Sequence, residues 1–228
     1  MYIGSIMRTD LITVAPKTTL VEAKELLEKH RIDHLLVVKS GKLAGVVSDR
    51  DLRQNWASPA TALSAHELSY LLNTVTLGMI MVKTVVTAGP DTTIERAAWI
   101  MQVNNINSLP VMADGELVGI VTSTDVMAVL LNAIGMSEDS RRLGLFVEDQ
   151  IGRLATVTAA LRDAEVNIQS FFCYPVPGHR KLSQLVIRVH RADGERAAAA
   201  LEKVGFRVMT HYSKDITPFL PEGCQRCS

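Results

Sequence analysis

Gly41-Lys42-Leu43-Ala44-Gly45-Val46-Val47-Ser48-Asp49-Arg50-Asp51 returns later in the same chain as Gly115-Glu116-Leu117-Val118-Gly119-Ile120-Val121-Thr122-Ser123-Thr124-Asp125. The register between the copies holds without a gap back through Thr18/Thr92 and Pro16/Pro90 to Ile6/Ile80. Self-similarity of this length marks a duplicated structural unit. In each copy a Gly-containing turn leads into an apolar, β-branched run suited to a buried strand. The run closes on a hydroxyl, Ser48 or Thr122, followed three residues on by Asp51 or Asp125 and then by a helical apolar pattern. Ser/Thr-x-x-Asp at a strand end is a helix cap. It also gathers a hydroxyl, backbone amides and a carboxylate at a helix start. Amides and dipole there can hold a phosphate, while the carboxylate accepts hydrogen bonds from a ribose diol.

Outward from this stretch, Leu11 to Val14 reads as a short strand ended by Pro16. Thr19 and Glu22 stand at capping-box spacing before a helix with Leu20, Ala23, Leu26 and Leu27 on one face. Leu35 to Val38 and Leu43 to Val47 form a hairpin across Ser40-Gly41, and Asp51-Leu52 opens the closing helix, which makes the unit β-α-β-β-α. The second copy replays this order, with a helix from Thr93-Ile94 through Ala97, Ala98 and Met101 and a strand from Leu109 to Met112. Between the copies Pro59 breaks the chain. Ser64 and Glu67 form another capping box flanked by Leu63 and Leu68 as a staple. A helix striped by Leu68, Leu71, Leu72 and Val75 then runs to about Val75.

Units that open Ile-Met-x-x-x-hydrophobic-hydrophobic-Thr (Ile6 to Thr13, Ile80 to Thr87), pass through Leu109-Pro110-Val111 and close Gly-hydrophobic-hydrophobic-hydrophobic-[Ser/Thr]-x-x-Asp resemble the CBS domain. Two in tandem resemble a Bateman module: repeat 1 over 1–58, an inter-repeat helix over 59–78 and repeat 2 over 79–136. The segment Ala60 to Leu72 resembles the inter-repeat helix of bacterial CBS-pair proteins of the acetoin-utilisation (AcuB) type. The resemblance implies a regulatory adenine nucleotide such as AMP or ATP, bound in clefts shared by the repeats. Asp51 and Asp125 would meet ribose hydroxyls, and Ser48 and Thr122 phosphate. Arg8, Thr13, His34, Arg50, Thr87, Asn107, Ser108 and Thr124 complete the implied nucleotide-binding set. His34 can serve as cation or donor, although an ordinary imidazole is mostly neutral at pH 7, and a structural role fits it as well. His34 and Arg50 beside Asp51, against Ser108 and Thr124 beside Asp125, predict a more cationic first cleft.

After a polar linker at 137–142 the composition changes. Leu143 to Glu148, Val166 to Tyr174, Leu182 to Val189 and Phe206 to Tyr212 read as strands. Leu154 to Ala164 and Asp193 to Val204 read as helices, and the resulting βαββαβ order over 143–214 is a ferredoxin-like split unit. Asp149-x-x-Gly152-x-Leu154 and Val166-Asn167-Ile168 resemble the ACT domain, a module that commonly binds amino acids at subunit interfaces. That resemblance implies an amino-acid site at Asp149, Ile151, Gly152 and Asn167, with Ile151 standing where the family's familiar Pro does. Gly152 also fits a purely conformational role in a strand–helix turn. The fold class is thus mixed α/β (α+β): two β-α-β-β-α units and a ferredoxin-like domain, followed by a tail at 215–228.

Lys and Arg total 24 and so do Asp and Glu, which leaves no electrostatic case for nucleic acid or an anionic membrane as main partner. No apolar run reaches the roughly 18–20 residues of a membrane span. The N-terminus lacks a basic-then-apolar leader. Three cysteines without framework spacing predict a reducing, cytoplasmic setting. Cys173 reads as core. The Cys224-x-x-Cys227 tail lacks the further ligands of a zinc site and the βα context of a redox motif. No nucleophile–base pair, P-loop or metal cluster is visible, so the chain reads as non-enzymatic and without cofactor; the CBS and ACT resemblances imply a homodimeric sensor acting on a partner enzyme or transporter. A dimerisation module without ligand, or a nucleotide-processing enzyme, are the alternatives.

Overall fold

A computed structural model describes residues 1–56 and 64–221. Pro59, Leu63, Cys224 and Cys227 lie outside the described residues, as does the Leu68 side chain. The chain divides into two compact units, Met1–Met127 and Ala128–Ser228.

In the first unit, β1 (Thr13–Val14) pairs parallel with β2 (His34–Lys39), which forms an antiparallel hairpin with β3 (Lys42–Ser48). Helix α1 (Leu20–His30) starts at a Thr19/Glu22 capping box and α2 (Asp49–Asn55) at a Ser48/Asp51 one. After α3 (Ala65–Thr74) and the short α4 (Leu77–Ile80), the second copy follows as α5 (Ile94–Asn104), the hairpin β4 (Ser108–Ala113) and β5 (Glu116–Thr122), and α6 (Ser123–Ala133). The duplication extends to irregularities. Both hairpins slip register at one place, between Val37 and Val38 and between Val111 and Met112. Arg31 and Asn105 end α1 and α5 in the same left-handed conformation. The counterpart of β1 is reduced to a bridge from Ala88 to Val111. In α3 Leu72 is buried, whereas Leu71, expected on the same apolar stripe, faces outward.

The repeats exchange their leading segments. Residues before Thr9 lie on the second repeat: Ile3 N–H donates to Thr92 O (2.9 Å), and Arg8 exchanges both backbone bonds with Ile120 (2.9 and 3.0 Å). Residues 77–82 lie on the first: Leu77 N–H donates to Thr18 O (2.8 Å), and Val82 exchanges bonds with Val46 (3.0 and 3.1 Å). Here the inner glycine of the repeated stretch finds its reason. A Cβ on Gly45 would stand 2.7 Å from the Met81 sulfur, and one on Gly119 2.5 Å from that of Met7. Each glycine lets the other repeat's lead-in cross the strand. Ile3 and Leu77 are fully buried as a result, each worth roughly 1.5–3 kcal/mol of transfer from water.

In the second unit the strands are β6 (Ser140–Glu148), β7 (Ile168–Val176), β8 (His179–His190) and β9 (Val208–Met209), ordered β7-β8-β6-β9. Helices α7 (Arg153–Asp163) and α8 (Gly194–Lys203) cover one face, burying Leu143, Leu145, Val157, Leu161, Ile187 and Leu201. This is the expected βαββαβ order with three corrections. The linker is shorter, because Ser140, Arg141 and Arg142 already pair with β8; a ladder needs backbone groups, not apolar side chains. The last strand shrinks to the two residues that pair with Gly144 and Leu145. Cys173 is exposed, not core; it sits on the edge strand β7 with exposed Phe171, outside the cover of the helices. The first residues of the tail fold back: Ile216, Phe219 and buried Leu220 pack with Phe146, Val176, Leu182 and Met209.

Candidate functional site

Because β3 and α2 meet at Ser48, and β5 and α6 at Thr122, both repeated hydroxyls and the Asp51 carboxylate line a cleft of about 1050 Å³ in the first unit. Its lining takes in both repeats, including Arg8, His34, Ser48, Arg50, Asp51, Asn107, Ser108, Thr122 and Thr124. Thr13 and Thr87 are exposed and do not line it. Asp125 borders it through Thr122 and Arg8.

Each carboxylate is half engaged. Asp51 Oδ2 accepts from Ser48 N–H (2.7 Å) and from the Ser48 hydroxyl (2.6 Å), and the hydroxyl oxygen accepts from Asp51 N–H (3.2 Å). Thr122 and Asp125 repeat the pattern at 2.9, 2.6 and 3.3 Å. The carboxylate is therefore divided, with Oδ2 holding the helix start and Oδ1 left over. The amides anticipated for a phosphate are partly used: Asp49 N–H donates to Asp33 O and Ser123 N–H to Asn107 O, each at 2.9 Å. This gives the Asn107 backbone a part in holding the cleft wall.

The Oδ1 atoms differ. That of Asp51 has no hydrogen-bond or ion-pair partner among the described residues. That of Asp125 lies 3.6 Å from an Arg8 guanidinium nitrogen. Arg8 is brought there by its backbone bridge to Ile120, and its counterpart by the duplication is Val82, bridged to Val46. The charge contrast read from the sequence, with His34 and Arg50 on the Asp51 side only, is thus offset by a cation that crosses from repeat 1 to the Asp125 side. Arg31 and Arg53 also line the cleft and lay outside the sequence-derived set. A signal for them existed: the aligned positions in repeat 2 are the uncharged Asn105 and Met127. Arg53 is tied to Asp49 at 2.6 Å.

His34, opposite Ser48 in the hairpin, has its Nδ1 buried without a hydrogen-bond partner among the described residues. Burial pushes its pKa below the usual imidazole value, against the pull of Asp33 and Asp51. A buried nitrogen without a partner costs about 1–3 kcal/mol, which a ligand bonded to it would recover.

In the second unit Asp149, Ile151, Gly152 and Asn167 are all exposed, Ile151 completely. Gly152 (φ +90°) precedes α7 without a capping side chain. Asp149 N–H is bonded to Lys181 O at 2.9 Å. None of the four lines the small cavity of this unit, about 290 Å³, which is bounded by Phe146, Glu148, Arg153, Phe206 and Phe219. Among the described residues no group of three or more His, Cys, Asp or Glu could hold a metal ion, and no helix is long and apolar enough to cross a membrane.

The family model for the CBS domain matches residues 3–57 and 77–132, and that for the ACT domain residues 141–206. A CBS domain-containing protein of Dictyostelium discoideum is 31% identical over 136 residues, which are 59% of this chain and 94% of that one. An inosine-5'-monophosphate dehydrogenase of Korarchaeum cryptofilum is 36% identical over 118 residues, 51% of this chain. The matched stretch spans 22% of that enzyme's length. Among solved structures, a Vibrio cholerae protein assigned to acetoin utilization (AcuB) is similar over 58% of this chain and 91% of that one, with 32% identity and a TM-score of 0.48.

Proposed function

We propose that this chain, which belongs to the CBS-domain family and carries an ACT domain behind its CBS pair, is a regulatory protein that senses an adenine nucleotide in the cleft between its repeats. The observation that carries this is the duplicated cap at the cleft mouth, which leaves one carboxylate oxygen of Asp51 and one of Asp125 beyond the needs of the helix. A ribose presents two adjacent hydroxyl donors that suit such an oxygen. The cleft has room for a nucleotide, lying at the upper end of the roughly 300–1,000 Å³ usual for small-molecule sites. Arg8, Arg31, Arg50 and Arg53 on its walls supply cations for phosphate.

Binding by this site alters no covalent bond, so the output is a change in association with a partner enzyme or transporter. An amino acid held at the Asp149 to Gly152 turn and Asn167 is the matching proposal for the ACT domain. Full exposure of that turn means a second copy would have to complete the site. The edge strand β7, with Phe171 and Cys173 exposed, offers a surface for homodimerisation.

Thermal denaturation of the full chain with AMP, ADP and ATP tests the nucleotide reading. Stabilisation by about 2.7 kcal/mol is expected at 100 times the dissociation constant. A melting curve indifferent to every adenine nucleotide at millimolar concentration would refute it.

A further inference from the structure

Resting on the nucleotide reading above, we infer that the two halves of the cleft take ligands of different charge. The Asp51 half accepts an adenine nucleoside with or without phosphate, whereas the Asp125 half accepts only one that brings an anion for Arg8.

The halves are built on the same cap and the same strand–helix junction, so their differences stand out against a common frame. In the Asp51 half one hydrogen-bonding position is open, Oδ1 of Asp51 on the cleft wall; His34 lines the cleft beside it with its Nδ1 buried. The lead-in residue crossing there is Val82, which has no charge to offer or to neutralise. A neutral nucleoside can meet Asp51 Oδ1 with its sugar hydroxyls, and disturbs no existing ion pair.

In the Asp125 half the open carboxylate oxygen is already answered by Arg8 at 3.6 Å. Asp125 is largely covered (18% exposed) while Arg8 is 59% exposed, so the carboxylate depends on that cation more than the cation depends on it. A sugar diol that takes Oδ1 must share it with the guanidinium or turn it away. A neutral nucleoside gives Arg8 nothing in exchange. A nucleotide supplies a phosphate, to which an arginine binds by a bidentate, charge-assisted pair. Arg8 can make this exchange because its backbone, held to Ile120 by two hydrogen bonds, stays in place while the side chain swings. It acts as an internal counter-ion that only an anionic ligand displaces without loss.

Calorimetric titration of the full chain with adenosine and with AMP, at equal ionic strength, decides the matter. Adenosine is expected to saturate at one equivalent per chain and AMP at two. In Arg8→Met adenosine should reach two equivalents, and AMP in the Asp125 half should lose about tenfold or more in affinity, the scale of one charge-assisted bond. Arg8→Lys, which keeps the charge, should retain discrimination in part. The Arg8 side chain is exposed, so both variants should melt with the wild type, and circular dichroism verifies it. Equal stoichiometry for adenosine and AMP in the wild type, or a single adenosine equivalent in folded Arg8→Met, would overturn the assignment while leaving the cleft a nucleotide site. Absence of binding by both compounds would remove the assignment, and indifference to ADP and ATP as well would remove the nucleotide reading.

Discussion

Replacing Asp51 with Ala removes two things that the structure separates atom by atom. Oδ2 is the reciprocal half of the capping box of α2, accepting from both the amide and the hydroxyl of Ser48. Its loss leaves the Ser48 cap in place and costs about 0.5–1.5 kcal/mol, the net worth of a hydrogen bond. For a chain of this size about 1 kcal/mol lowers the melting temperature by roughly 2–4 °C. Oδ1 is the oxygen left for ligand, and one charge-assisted hydrogen bond is worth about 1.5–3 kcal/mol, so about 2 kcal/mol weakens that half of the cleft by roughly thirtyfold. At a nucleotide concentration 100 times the wild-type dissociation constant, the stabilisation from this half should fall from about 2.7 to about 0.9 kcal/mol. Differential scanning calorimetry of wild type and variant, each with and without AMP, measures the two losses independently. Asp51→Asn serves as the control: its side-chain oxygen can still accept from Ser48, so the ligand-free curve should move less than in Asp51→Ala while the AMP-induced shift still shrinks. If Asp51→Ala lowers the ligand-free melting temperature but keeps the full AMP-induced shift, Asp51 is a cap and nothing more.

Other outcomes follow from single features of the structure. His34 is held below its ordinary pKa of 6.5 by burial, so the unfolded chain binds more protons and its contribution to stability is complete above pH 6.5 and declines as the pH falls through the folded value. His34→Asn should flatten the melting temperature between pH 7 and pH 5, and an equal acid slope in wild type and variant would exclude His34 as the cause. Leu220 is 3% exposed against the sheet of the second unit, and Leu220→Ala should cost about 2–5 kcal/mol; a loss below 1 kcal/mol in urea denaturation would show that the returning tail is not part of the core. Gly152 has φ +90° with open space around its Cβ position, so Gly152→Val should cost about 1–2 kcal/mol from backbone conformation alone. The same variant should abolish any amino-acid-induced thermal shift, and a preserved shift would place that ligand elsewhere. Light scattering at micromolar concentration should give the mass of a dimer, and a strict monomer would rule out β7 as a homodimer edge.

The features legible from residue order alone are local. The capping boxes at Thr19/Glu22, Ser48/Asp51 and Ser64/Glu67, and the Thr122/Asp125 copy of the second, were legible because each joins residues three apart, where helix geometry dictates the meeting. The two hairpins and the βαββαβ order were legible because side-chain periodicity and turn residues act over a few positions. Repetition then marked Ser48, Asp51, Thr122 and Asp125 as one site seen twice. Tertiary structure alone decided which surface each lead-in covers. Both repeats present nearly the same strand, so no pattern tells whether Met7 crosses Gly45 or Gly119; the chain brings it to Gly119 and Met81 to Gly45. That choice carries Arg8 to Asp125 and Val82 to the Asp51 side, and so offsets a charge asymmetry inferred from neighbours in sequence. Cys173 was misjudged for a related reason: strand periodicity gives the face a residue points to, whereas its burial depends on whether the strand lies at the centre or the edge of its sheet. Local hydrogen bonds are set by spacing along the chain, and long-range pairings by competition among similar surfaces, which only the folded chain resolves.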